Sequence, residues 1–461
     1  MTIFDELRRD EFGRLDAAGQ VYLDYTGAGL YGESQLRAHM AMLSGETLGN
    51  PHSQNPTSRR STEHIEAARE RVLEFFDADP AVYEVIFTLN ASGALKLVGE
   101  SYPFEAGSRY VLLTDNHNSV NGIREFAAAK GAAVTYLNLD ENLRVGSIEA
   151  QLDGLDRSKA NLFAFPGQSN FTGVKHPLEW IGLAKRAGYD VLLDAAAYAP
   201  TSRLSLREVE PDFVSLSFYK MFGYPTGVGA LIARREKLHT LRRPWFAGGT
   251  VRFVSAQNNE HLLHLSGEAF EDGTLNFLSI AAVPIGLDFL ERIGMEALNA
   301  HVTEYTAKVL DVLGALYHSN GRPVVDIYGP KTTQGRGGTV SFNVLTPAGK
   351  EVEVGEIDAR ASRANISLRT GCFCNPGAAE AAFHFQAVDA YKCFHDIDPV
   401  AFTLQQYAAC MNNSAIGAVR VSVGIATNDA DIERFAEFMR GFIDWSPDKP
   451  AERVMPDVVG G

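Results

Sequence analysis

Short runs of apolar and β-branched residues recur between residues 83 and 233, separated by longer segments whose apolar positions fall three and four apart. The runs are Tyr83 to Thr88, Tyr110 to Thr114, Val134 to Leu137, Asn161 to Phe165, Asp190 to Asp194, Phe213 to Ser217 and Gly229 to Ala233. Runs of this length and composition predict strands covered on both faces. Ser119 to Lys130 and Pro177 to Ala187 have the spacing of crossover helices over a mostly parallel sheet. Upstream, Ile65, Ala68, Val72 and Phe76 mark the buried face of a helix entering the same unit. The pattern predicts an α/β domain over residues 20–280, in which ligands gather at the carboxyl ends of the strands.

Past Ala281 the pattern changes. A long helical region runs to about Ser319, followed by strands at Thr339 to Leu345, Ile366 to Arg369 and Ala418 to Val423. A last helix, Asp429 to Phe442, follows Asn428 as its cap. Residues 1–19 and 281–461 are therefore expected to form a second, smaller α+β domain. No fixed-period repeat, low-complexity tract or long charge block interrupts the chain.

Composition narrows the class without naming a chemistry. A hydrophobic fraction of 45% and a charged fraction of 21% are those of an ordinary globular protein. The formal charge of −15 argues against nucleic acid or anionic membrane as a partner. Met1 to Asp10 has no apolar core and no apolar run of about 18 residues occurs, so a cytoplasmic protein is expected. Four cysteines (Cys372, Cys374, Cys393, Cys410) are too few for a disulfide framework, and they lack the spacing of two metal-binding pairs. Reduced thiols and no metal site are expected.

The sharpest local feature is Ser217-Phe218-Tyr219-Lys220-Met221-Phe222-Gly223, directly after an apolar strand and ahead of the glycine-rich Pro225 to Gly229. Desolvation at such a strand end lowers a lysine pKa and suits Schiff-base chemistry. A snorkelling surface lysine is the alternative, and the segment alone does not choose. Asp194 closes Val191-Leu192-Leu193-Asp194, where a carboxylate either partners a pyridinium nitrogen or caps a helix. Asn90-Ala91-Ser92-Gly93-Ala94 is either an ordinary capped turn or a helix start that admits a phosphate. His117 is open between a ring-stacking and a structural role. Leu368 to Gly377 sets Cys372 and Cys374 on a loop bounded by Gly and Pro, as a reactive thiol needs. Arg420 is an isolated charge inside the strand Ala418 to Val423, and a carboxylate clamp is one role for it.

In this order the residues resemble the class V aminotransferase superfamily, and within it the cysteine desulfurase and molybdenum cofactor sulfurase branch. The motifs are Tyr22-Leu23-Asp24, Asn50-Pro51-His52-Ser53, Ala91-Ser92, His117, Gln168 to Gly173, Asp194 to Ala197, Ser217 to Gly223, Asp272-Gly273-Thr274 and Arg369 to Gly377. The resemblance implies pyridoxal-phosphate fold type I, the aspartate aminotransferase-like architecture, with a seven-stranded, mostly parallel large-domain sheet. It implies pyridoxal 5'-phosphate on Lys220, with Asp194 at the pyridine nitrogen and His117 stacked on the ring. Ala91, Ser92 and Ser217 would hold the phosphate, joined by Thr274 across a homodimer interface, and Tyr219 would flank the cofactor. Asn170 would meet the phenolic oxygen or the substrate, Arg420 and Arg369 the substrate carboxylate, and Cys374 would be the sulfur-accepting nucleophile.

The expected reaction is removal of sulfur from L-cysteine as a Cys374 persulfide, with release of alanine and later transfer to an unidentified acceptor. Many desulfurases have Gln where Ala197 stands and His where Tyr219 stands, so these positions lean toward the sulfurase branch. That branch carries a further carboxyl-terminal cofactor-binding domain, which these 461 residues are expected to lack. Two readings compete: an aminotransferase or C–S or C–Se lyase acting on another amino acid, and a non-catalytic sulfur carrier.

Overall fold

The computed structural model describes residues 2–51, 53–385 and 417–447, with 391–393, 395, 397, 400, 406 and 410 between them. His52 of the Asn50 to Ser53 motif lies outside the described residues. The large sheet has seven strands: β1 (Tyr83–Thr88), β2 (Arg109–Leu113), β3 (Ala133–Leu137), β4 (Leu162–Pro166), β5 (Asp190–Asp194), β6 (Phe213–Ser217) and β7 (Gly229–Arg234). Their spatial order is β1-β7-β6-β5-β4-β2-β3. β7 runs antiparallel to β1 and β6, and the pairs β6–β5, β5–β4, β4–β2 and β2–β3 are parallel. This is the mostly parallel α/β sheet expected of fold type I.

The central strands are buried on both faces, which is why they read as continuous apolar runs. Val111, Phe163, Val191, Val214 and Ile232 face one core, and their neighbours Leu112, Leu162, Leu192, Phe213 and Leu231 face the other. The first core continues without a break into Val302, Val309, Phe342, Val421 and Phe435, so the carboxyl-terminal elements pack on the large sheet.

Two predicted helices break at a glycine. The segment expected as one helix from Ser119 is two, Asn118–Asn121 and Ile123–Ala129, joined at Gly122. The long helical region past Ala281 divides into Val283–Ile293 and Met295–Gly314 at Gly294, whose φ of 85° lies in the left-handed region. The last helix, Asp429–Arg440, begins with a capping box between Asn428 and Asp431.

Two features escape the periodicity. One is a hairpin of β8 (Val251–Ser255) and β9 (Glu260–Leu263). The other is β10 (Val325–Tyr328), which joins β11 (Thr339–Val344), β12 (Arg369–Gly371) and β13 (Ala418–Ser422) in an antiparallel sheet ordered β10-β11-β13-β12. The predicted strand Ile366 to Arg369 is therefore split. Ile366–Ser367 pairs in parallel with Val21–Tyr22, and Arg369 begins β12. The expectation of four reduced thiols is also corrected: Cys393 and Cys410, with Cα atoms 5.7 Å apart, form a disulfide, which includes neither Cys372 nor Cys374.

Candidate active site

The carboxyl ends of β5 and β6 and the turn after β1 enclose a cavity of about 130 Å³. Lys220 enters it from a one-turn helix, Phe218–Phe222, that follows β6 directly. Gly223 ends that turn with φ 78°, and a Cβ there would lie 2.3 Å from the Tyr31 nitrogen, so only glycine lets the turn close against residues 30–31. Burial pushes the Lys220 ammonium below the ordinary lysine range. Asp194 pulls it back up, Arg420 pushes it down, the Cys374 thiol raises it and Arg369 lowers it.

Asp194 is held at the end of β5, its Oδ1 accepting from the Ala196 N–H (3.1 Å) and the Ser215 hydroxyl (2.9 Å). His117 caps the helix Asn118–Asn121. Its Nδ1 accepts the Ser119 N–H at 3.1 Å, which leaves the ring proton on Nε2. Burial lowers the His117 pKa, with Asp194 opposing, so the ring is neutral at pH 7.

The opposite end of the cavity is the start of the helix Ala91–Ser101. The Ala91 N–H donates to Ser217 Oγ at 2.8 Å, and the hydroxyls of Ser92 and Ser119 are 2.6 Å apart. Backbone N–H groups and hydroxyls at a helix start suit an anion. Tyr219 and Asn170 complete the lining among the residues singled out from the sequence.

Four expected site residues lie differently. Asn170 lines the cavity, but its Nδ2 donates to the Phe373 carbonyl (2.7 Å) and its Oδ1 accepts from Asn375 Nδ2 (3.0 Å), so its amide fastens the Cys374 loop. Arg420 is 3% exposed and already engaged: Nη2 meets Asp24 Oδ1 at 3.0 Å and Nη1 donates to the Asn170 carbonyl at 3.0 Å. Arg369 shares the same carboxylate, with Nη2 2.6 Å from Asp24 Oδ2. Thr274 is not brought to Lys220 within the chain. It lines a separate cavity of about 650 Å³ with Gly49, Asn50, Ser53 and Gly273.

Cys374 is exposed on a loop that the cavity wall holds from several sides. Phe373 and Cys374 both have left-handed φ, 54° and 56°, a costly conformation for side-chain-bearing residues that the surrounding bonds maintain. The Asn118 N–H donates to the Cys374 carbonyl at 2.7 Å, and the Arg420 guanidinium lies 4.5 Å above the Phe373 ring. Beneath the loop the buried Asp115 accepts from Asn375 Nδ2 (2.7 Å) and Ser169 Oγ (2.7 Å) and meets His176 Nε2 at 3.2 Å. Burial raises the Cys372 thiol pKa, with Glu380 adding to it. Among the described residues no group of three or more His, Cys, Asp or Glu side chains is placed to hold a metal ion.

Asp24 and Asp115 carry the loop and its arginines, yet local sequence does not single out their roles, since their partners lie 396 and 260 positions away. Removing one partner of a buried pair strands the other charge. Asp24→Ala is therefore expected to cost about 3–5 kcal/mol of folding stability, read as a lower denaturation midpoint.

The aminotransferase class-V family model matches residues 21–435. The chain belongs to the class-V aminotransferases. It is 37% identical over 464 residues to human molybdenum cofactor sulfurase, covering 94% of this chain and 51% of that protein. It is 37% identical over 476 residues to the molybdenum cofactor sulfurase of Solanum lycopersicum, covering 94% and 56%. The chain thus spans about half the length of the curated relatives it matches. Among solved structures, the apo cysteine desulfurase of Thermococcus onnurineus superposes with a TM-score of 0.76 at 24% identity, over 96% of this chain and 98% of that one.

The cofactor of this family is pyridoxal phosphate, and the site's donor set fits it. One cavity presents a buried lysine amine, a fixed carboxylate and a helix start flanked by serines.

Proposed function

We propose that the protein is a pyridoxal-phosphate-dependent cysteine desulfurase-like enzyme that takes sulfur from L-cysteine onto Cys374 and releases alanine. The observation that carries this reading is the fastening of the thiol loop to the cofactor cavity. The Asn170 side chain lines that cavity and bonds the Phe373 carbonyl, one residue before Cys374. When bound, pyridoxal phosphate acts as an electron sink at the substrate Cα.

The chain's own residues supply the rest. Lys220 is the amine that anchors the cofactor and then moves protons at Cα and Cβ. Asp194 would keep the pyridine nitrogen protonated, His117 would pack on the ring as a neutral imidazole, and Tyr219 would flank the cofactor. Ala91, Ser92 and Ser217 hold the phosphate. The Cys374 thiolate forms an S–S bond to the substrate sulfur as the Cβ–S bond breaks. The electron pair of that bond goes to the carbon side, where a proton completes the alanine methyl. The balance is cysteine plus Cys374 thiol giving alanine plus Cys374 persulfide, with no external oxidant or reductant.

In this reading Arg420 and Arg369 would meet the substrate carboxylate only in competition with Asp24, which holds both guanidinium groups. A half-buried thiol whose pKa is raised is a poor relay, so Cys372→Ala is expected to change alanine formation by less than about twofold.

The sulfur acceptor in this reading is molybdenum cofactor or a biosynthetic intermediate, and similarity over half of the sulfurases favours the first. The Thr274 cavity and the adjoining hairpin, whose Phe253 and Leu262 are 59% and 61% exposed, support a homodimer. We keep the division into residues 20–280 and 1–19 plus 281–461, supported by the seven-stranded sheet lying within the first and the four-stranded sheet within the second. No helix among the described residues is long and apolar enough to cross a membrane. We place the protein in the cytoplasm, where the Cys374 thiol stays reduced.

The test is alanine and persulfide formation from L-cysteine by the wild type and by Cys374→Ala. Alanine formation unchanged in the variant overturns the desulfurase reading, and keto-acid formation without cysteine consumption points to aminotransfer.

A further inference from the structure

Lys220 faces two cavities. Besides the outer one already described, it lines an inner cavity of about 40 Å³, walled by Thr26, Thr201, Gly338 and Thr339. Only Gln168, Ala196, Ala197 and Lys220 line both, so these four residues form the partition between them. Two are alanines with nothing polar to offer. The other two are a donor and an acceptor. Among the described residues the Lys220 ammonium makes no hydrogen bond, and the buried Gln168 Oε1 has no partner either.

The Gln168 amide is placed by the backbone around it. Residue 168 bridges Lys175 across a tight turn, closed by the Ser169 N–H donating to the Val174 carbonyl at 2.8 Å. Across from it stands Gly337, where a Cβ would lie 2.0 Å from Gln168 Oε1 and 2.6 Å from Cδ. Glycine at 337 is what leaves room for the amide. The nearby amide of Asn170 is fully spent on Phe373 and Asn375. An unpaired buried acceptor costs as much as a lost hydrogen bond, so a donor brought to it is held.

We propose that Gln168 is a positioning residue for Lys220: its Oε1 accepts an N–H of the free lysine amine at the partition, drawing it toward the inner cavity. The proposal rests on the pyridoxal-phosphate reading of the same site. Its consequence is that an incoming amino acid, once it has displaced the lysine, occupies the outer cavity without the amine competing for the same carbon. A water in the inner cavity, which is large enough for one, is the competing partner for Oε1.

The groups acting on the amine are Asp194 on β5, Arg420 on β13, Arg369 on β12 and Cys374 on its loop, and Lys220 in turn acts on His117. Against that fixed background, an amide oxygen on the ammonium favours the charged form, and its removal favours the neutral amine. The experiment strips the cofactor and follows the rate of pyridoxal phosphate capture against pH by absorbance, for wild type, Gln168→Met and Gln168→Glu. Loss of the acceptor in Gln168→Met is expected to move the midpoint to lower pH, speeding capture about threefold at a fixed pH below it. Gln168→Glu, close in size and carrying a charge, is expected to move it to higher pH.

Midpoints that coincide for the three proteins overturn the proposal and leave Oε1 to water. A wild type that captures no cofactor overturns the cofactor reading itself. If Gln168→Met fails to fold, Gln168→Leu, which removes the same acceptor without adding a charge, decides by the same downward movement.

Discussion

Lys220→Ala will abolish the visible absorption that pyridoxal phosphate acquires on the wild-type protein, and will lower alanine release from L-cysteine by at least ~10³-fold. The size of the effect follows from three tasks falling on one nitrogen. In the proposed reaction it would anchor the cofactor, yield to the substrate amine and move protons at the reacting carbons. No neighbour can take these over. The His117 ring is neutral, with Nδ1 tied to the Ser119 backbone, and the Arg420 guanidinium is held by Asp24 and Asn170. Lys220→Arg separates charge from nucleophilicity. It retains a cation beside Asp194 and is expected to be as inactive as the alanine variant, because guanidinium does not deprotonate in this range. The sign of the pH dependence is set by burial. The Lys220 pKa lies below its ordinary value of 10.5, so the fraction of free amine rises with pH and reaches its plateau before an exposed lysine would. Cofactor capture by the stripped protein should therefore increase with pH, with its midpoint below that of an exposed lysine.

The large sheet was legible because its physics is local. β1, β5 and β6 occupy the positions their apolar runs predict, Tyr83–Thr88, Asp190–Asp194 and Phe213–Ser217. Strands covered on both faces need no alternation, and helices of 3.6 period separate them. β8 escaped for the opposite reason. Its Arg252, Phe253 and Val254 are all exposed within the chain, so no buried face imposes a period. β10 is four residues long, too short for a pattern to stand out.

In the site, the residues that the structure gathers around one cavity belong to strand ends and helix starts, the places where sequence marks a change of element. Asp194, Ser217 and Lys220 are of this kind. What sequence could not show is which polar groups are already spent. Arg420 reads as a free clamp until Asp24 is placed beside it, and Asn170 reads as a ligand contact until its amide is found on the Cys374 loop. Gln168 is the converse case, a glutamine inside a quoted motif whose unpaired oxygen becomes visible only with Gly337 opposite. The Cys393–Cys410 pair likewise depends on a Cα separation that a spacing of 17 residues does not specify.

Replacing Cys374 with serine should divide the reaction at one bond. Serine keeps the size of the side chain and the hydrogen bonds of the loop, all of which run through the backbone of Phe373 and Cys374 and the side chain of Asn375. The cofactor cavity loses nothing, since Cys374 does not line it. Cofactor binding and the spectral response to added L-cysteine should therefore match the wild type. Sulfur removal should not. A hydroxyl is far less nucleophilic than a thiolate toward sulfur, and alanine formation is expected to fall by at least ~10²-fold, with no persulfide on the protein. The measurement is alanine and protein-bound sulfane sulfur from one sample, beside its absorption spectrum. Loss of both products with the spectrum intact places Cys374 at the sulfur-accepting step. Alanine released at the wild-type rate would instead mean that sulfur leaves without this thiol, and would turn the same scaffold into a simple C–S lyase. The left-handed φ of Phe373 and Cys374 bears on the outcome as well. A loop held in that conformation presents its thiol without first having to order, so Asn170→Ala, which frees the Phe373 carbonyl while leaving the thiol in place, should slow sulfur transfer more than it slows the spectral response.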